Sequence, residues 1–75
     1  MTTKVKEITD EEIGQSVKIV EAEDKNIIGK TGNLTTPFGV WDIEKYLIGV
    51  FLDEPIKNSN DIVNLTAEDV VEFLN

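Results

Sequence analysis

The chain contains no cysteine, no histidine and no arginine. Without cysteine there is no disulfide, no thiolate metal ligand and no thiol nucleophile. Without histidine the commonest general base and the commonest transition-metal ligand are both missing. Without arginine the chain lacks the planar fork that reads phosphates and base edges best. Long apolar runs are missing too: no segment approaches the roughly 18 apolar residues of a membrane span. Met1–Glu7 carries no apolar stretch of the kind a signal peptide needs. The expectation is a cytoplasmic protein that neither enters a membrane nor binds a cofactor or metal.

What remains is 75 residues with a net charge of −8, from 15 acidic and 7 basic side chains. That length is enough for one domain. A domain of this size buries only about 60% of the surface its unfolded chain would expose, which leaves little room for a deep pocket. The apolar fraction of 40% suits a folded domain rather than a disordered one. The lysines at 4, 6, 18, 25, 30, 45 and 57 are scattered along an acidic chain. Nucleic acid would be repelled at long range, so direct binding to it is disfavoured. The lysine-only, asparagine- and isoleucine-rich composition fits an AT-rich genome, such as that of a phage or a low-GC bacterium.

Residues 1–13 read as an N-terminal arm and a capped turn. Thr9 and Glu12 have capping-box spacing, and the turn stops at Gly14. Residues 14–75 read as short strands. Val17-Lys18-Ile19-Val20 alternates, with Val17 and Ile19 on one face. Glu21 to Asn26 is a polar loop. A second strand begins at or after Lys30 and runs to about Thr36, entered through Gly29 and Gly32 and broken by Pro37-Phe38-Gly39. Tyr46 to Leu52 is apolar on both faces, which predicts a central strand covered on two sides, with a bend at Gly49. Asp53-Glu54-Pro55 ends it, and Lys57–Asp61 is a polar turn region. Ile62–Leu65 and Val70–Leu74 are further strands, and Thr66–Asp69 between them is one capped helical turn. The pattern predicts an all-β domain, a small five-stranded barrel with one helical turn before the last strand.

Gly14, Val17, Ile19, Gly29, Gly32 and Leu34 follow the order glycine, Val-x-Ile strand, then Gly-x-x-Gly-x-hydrophobic. Val50-Phe51-Leu52-Asp53 and Leu65-Thr66-Ala67-Glu68-Asp69-Val70 supply a third main strand, a fourth strand, a turn and a closing strand. Over residues 14–74 the chain therefore resembles SH3-like barrels of the KOW type. That resemblance implies a β-barrel that binds RNA or ribosomal and transcription proteins. The family's basic loop after the first strand is here Glu21-Ala22-Glu23-Asp24-Lys25-Asn26 and lacks its usual glycine. The acidic loop points away from RNA and towards the accessory chains of larger complexes.

Carboxylates cluster at Asp10-Glu11-Glu12, Glu21/Glu23/Asp24, Asp53-Glu54 and Glu68-Asp69. A glycosidase pair needs a cleft between its acids, so these read as solvated surface. Asp53 to Asp61 lacks the ligand spacing of an EF-hand loop. Gly29-Lys30-Thr31 lacks the upstream glycine of a phosphate loop, because position 24 is aspartate. No nucleophile–base set is present, which argues against an enzyme. The candidate partner-binding residues are Phe38, Trp41 and Tyr46, aromatics of the kind enriched at interface hot spots, with Asp42 and Glu44 as an acidic rim. Trp41 alternatively plugs one end of the barrel. The expected function is a small acidic protein–protein interaction module, an accessory or regulatory subunit. The other functions open to such a chain are an acidic nucleic-acid mimic of the phage-inhibitor type and an RNA-binding barrel.

Overall fold

In a chain with so few side chains to bury, each β-branched segment must pair and turn one face inward. Six segments do so. A computed structural model describes residues 1–39, 42, 44–54 and 61–74. Its strands are β1 (Thr2–Lys4), β2 (Ser16–Glu21), β3 (Thr31–Thr35), β4 (Tyr46–Leu52), β5 (Ile62–Thr66) and β6 (Val70–Phe73). They form one antiparallel sheet in the order β1-β6-β2-β3-β4-β5. Short 3₁₀ turns at Val5–Glu7, Asp10–Glu12 and Lys25–Ile27 complete the regular structure. Among the described residues no helix is long and apolar enough to cross a membrane.

The all-β expectation holds, but the five-stranded barrel is corrected. Among the described residues the sheet has six strands, and its edges, β1 and β5, are not paired with one another. The additional strand comes from the expected arm. Thr2-Thr3-Lys4 has no apolar alternation to betray a strand, yet its backbone pairs with Glu72, Val71 and Val70. The pairing continues past β6: the Val5 amide donates to the Asp69 carbonyl at 2.9 Å and the Lys6 amide to the Ala67 carbonyl at 3.1 Å. Val5 thereby enters the core. Lys4 and Lys6 both reach Glu68, at 3.1 and 3.0 Å.

The core is built from alternate residues of the strands. Val17 and Ile19 of β2, Leu34 of β3, Ile48, Val50 and Leu52 of β4, Leu65 of β5 and Val71 of β6 are all buried. Lys18 points outward, as the alternation required. Gly14 closes the Asp10–Glu12 turn at φ +97°. The Glu12 carboxylate accepts from the Thr9 amide at 2.9 Å, as the capping-box spacing predicted. Gly32 is needed for a different reason. A Cβ there would stand 2.3 Å from the Phe51 carbonyl oxygen, so β3 and β4 could not pair at this register with any side chain in place.

Two local expectations change. β4 lies between two strands but is covered on one face only: Leu47 is 41% and Phe51 51% exposed. Apolar character on both faces did not mean burial on both: on the other side Leu47 borders an open hollow and half of Phe51 meets solvent. The register of β4 against β5 shifts between Tyr46 and Ile48. Gly49 admits the Thr36 carbonyl, 2.8 Å from where its Cβ would be. The Glu21–Asn26 loop is not wholly polar surface, since Ala22 is buried and the Lys25–Ile27 turn sends Ile27 into the core. The polar turn expected over Lys57–Asp61 lies, apart from Asp61, outside the described residues.

The helical turn before the last strand is a two-residue hydrogen-bonded turn at Ala67 and Glu68. The expected cap is reversed. Rather than the Thr66 side chain accepting from the Asp69 amide, the Asp69 carboxylate accepts from the Thr66 amide at 2.8 Å. Its other oxygen accepts from the Glu23 amide at 3.2 Å, 46 residues away in sequence. Asp69 is the buried charged residue of the core, 7% exposed, and its own amide donates to the Thr66 carbonyl at 3.1 Å.

Asp69→Ala leaves two amides without their acceptor and should destabilise the fold by about 2–4 kcal/mol, with Asp69→Asn in between because one acceptor oxygen survives. Urea unfolding measures both, and equal stability of Asp69→Ala and wild type would contradict the assignment. The Glu68 carboxyl is held below the usual glutamate value by hydrogen bonds from Lys6 and then Lys4, reinforced by their charges. A depressed folded value means that its small stabilising contribution is present above the ordinary glutamate range and is lost as pH falls through the folded value. NMR titration should show Glu68 returning to the ordinary range in a Lys4→Ala/Lys6→Ala double variant.

Candidate partner-binding surface

The candidate residues lie around the passage from β3 to β4. After Thr35 the chain turns through Pro37 and Phe38, and Gly39 adopts φ +70°. Phe38 is 64% exposed, yet its backbone is held on both sides. The Phe38 amide donates to Asn64 Oδ1 at 3.0 Å, and Asn64 Nδ2 donates back to the Phe38 carbonyl at 2.7 Å. The side-chain amide of one β5 residue thus pairs with Phe38 as a neighbouring strand would.

Asp42 has a task that its sequence position did not reveal. Its Oδ1 accepts from the Glu44 amide at 3.1 Å and the Lys45 amide at 3.0 Å, and its carbonyl accepts from the Tyr46 amide at 3.2 Å. This is a side-chain-capped turn that delivers the chain into β4. Asp42 is therefore a turn former as well as an exposed acid, and Glu44 is exposed at the turn. Tyr46, at the start of β4, is half-buried. Trp41 lies outside the described residues.

Tyr46 forms part of the wall of an open groove of about 300 Å³, shared with Glu23, Asp24, Ile27, Val63, Asn64 and Asp69. Lys45 contacts two of the residues that line it. The ammonium is 3.4 Å from Glu23 Oε1 and 5.2 Å from the centre of the Tyr46 ring. The hydrogen bond to Glu23, then its charge, raises the Lys45 pKa above the ordinary lysine value. Ile27 and Val63 contribute apolar lining, while the Asp69 carboxylate is already engaged by two amides.

The structure links Phe38 to Tyr46 through Asn64, which clamps the first and borders the groove beside the second. Sequence reasoning missed Asn64, Glu23 and Lys45. Asn64 carried a signal, being the polar residue within Ile62-Val63-Asn64-Leu65. Glu23 and Lys45 carried none, because their meeting depends on the sheet bringing two turns together. A second, smaller hollow of about 150 Å³ lies between the N-terminal turns and β3–β4, bordered by Ile8, Ile13, Pro37 and Leu47 among others. Among the described residues no group of three or more acidic side chains is placed to hold a metal ion.

Asn64→Ala should free the Phe38 backbone while leaving the ring chemistry intact. Hydrogen exchange of the Phe38 amide is expected to rise about tenfold, the equivalent of one lost hydrogen bond; unchanged exchange would show that the clamp does not hold the loop. Comparison with family models, with curated proteins and with solved structures finds no match to this chain.

Proposed function

We propose that this chain is a small acidic protein–protein interaction module, an accessory or regulatory subunit without catalysis of its own. The observation that carries this reading is Phe38: a large aromatic, 64% exposed, on a backbone clamped by Asn64. An aromatic presented on a fixed backbone loses little freedom on binding, which is the property of an interface anchor. Tyr46 and the groove beside it extend the same surface, with Asp42 and Glu44 as its acidic border.

The SH3-like reading belongs with this proposal. Setting β1 aside, β2 to β5 run as a meander and β6 returns to pair with β2. That order supports the resemblance to KOW-type barrels, here carrying one additional N-terminal strand. A second reading, the acidic nucleic-acid mimic, draws support from the ion pairs. Lys4, Lys6 and Lys45 are each engaged by a carboxylate of the same molecule, which leaves the surface more uniformly acidic than the count of lysines implies. The same fact weighs against RNA binding.

The test is a pull-down from lysate with wild-type protein and Phe38→Ala, with and without nuclease and over a salt series. The docking module predicts a stoichiometric protein that survives nuclease and falls about tenfold or more with Phe38→Ala, as for a hot-spot residue. The urea midpoint should be unchanged, because the ring is exposed. Capture lost in salt but insensitive to Phe38→Ala would favour the mimic. Capture lost to nuclease would favour RNA binding.

A further inference from the structure

β5 is an edge of the sheet, and its geometry shows which backbone groups are turned outward. The Leu52 amide donates to the Asp61 carbonyl at 2.7 Å, so these two residues face each other across β4 and β5. In an antiparallel pair the facing alternates from residue to residue. With Val63 opposite Val50 and Leu65 paired with Ile48, the backbone groups of Val63 and Leu65 turn towards β4. Those of Ile62 and Asn64 turn away from it. The next outward amide, that of Thr66, is taken by Asp69. Among the described residues no strand lies on the far side of β5.

The groove beside Tyr46 is lined by Val63 and Asn64 of this edge strand together with Glu23 and Asp24. We infer that β5 accepts an extended segment of a partner protein as an added strand, and that this segment carries lysine or arginine on its groove-facing side. The inference rests on the docking-module reading and names the kind of partner. Main-chain bonds to Ile62 and Asn64 supply the pairing, and the groove reads the side chains. A long cationic side chain fits its chemistry. The aliphatic stem lies on Ile27, Val63 and Tyr46, and the charged end reaches the carboxylates of Glu23 and Asp24.

The molecule already holds one such group. Lys45 places its ammonium 3.4 Å from Glu23 and 5.2 Å from the Tyr46 ring centre, so the carboxylate and the aromatic face together accept a cation. Charge complementarity favours the same occupant. A chain of net charge −8 attracts a basic segment at long range and repels a second copy of itself.

The probe is a displayed library of random twelve-residue peptides selected against the full chain. The expected result is enrichment of sequences with lysine or arginine at alternate positions among β-branched residues. A synthetic peptide from that set should slow exchange of the Ile62 and Asn64 amides with solvent. Glu23→Gln should weaken it about threefold, the effect of losing a partly screened ion pair. Ile62→Pro, which removes one outward donor at an edge position where proline is tolerated, should weaken it up to about tenfold. The inference is overturned if selected peptides are not cationic, if they protect amides elsewhere, or if Glu23→Gln binds as wild type does. Should the Phe38-dependent pull-down succeed while peptides leave Ile62 and Asn64 unprotected, this strand-addition site falls and the docking module stands. Should both fail, the two readings fall together.

Discussion

The buried carboxylate of Asp69 is where the separate parts of this small molecule are tied together. One oxygen holds the Thr66 amide at the end of β5, the other holds the Glu23 amide beyond β2, and the Asp69 carbonyl holds Val5 of the N-terminal segment. Burying a carboxylate is costly unless its oxygens are matched by donors. Here both are, and no buried side-chain nitrogen or oxygen among the described residues lacks a partner. A chain of this length has too small a core to position its loops by apolar packing alone. Bonds from one residue to its own turn and to two distant segments fix what packing cannot.

That tie also sets the shape of the candidate surface. Glu23 is held by its backbone to Asp69, which brings its side chain to Lys45 and its loop opposite β5. The groove therefore exists because the turn after β5 and the loop after β2 are joined at its base. Asn64 performs a comparable task on the outer side, where its side-chain amide holds Phe38 in place. The two polar anchors lie within six positions of each other in sequence, and one holds Phe38 while the other holds Glu23.

The legible parts of the fold were those written in local alternation. Val17 and Ile19 against Lys18, the glycine-led start of β3 and the long apolar run from Tyr46 to Leu52 all appear as strands where period-two patterning put them. β1 was not legible, because an edge strand of Thr2-Thr3-Lys4 is made by backbone pairing and leaves no side-chain pattern. The outward exposure of Phe51 was not legible either, since alternation reports two apolar faces but not which of them will find a cover. Of the candidate surface, the exposed setting of Phe38 could be read from Pro37 and Gly39 around it. Its clamp could not, because Asn64 is 26 residues away.

The amino-acid sequence by itself determined an acidic all-β chain without cysteine, histidine or arginine, and the inward and outward sides of its principal strands. These are consequences of composition and of the two-residue period of a strand, both local properties. The tertiary structure alone decided that the N-terminal residues become a sixth strand, that Asp69 is buried, and that Glu23, Lys45 and Tyr46 meet beside an open edge. Each of these joins residues far apart along the chain. Such meetings depend on strand order and register, which no single segment carries.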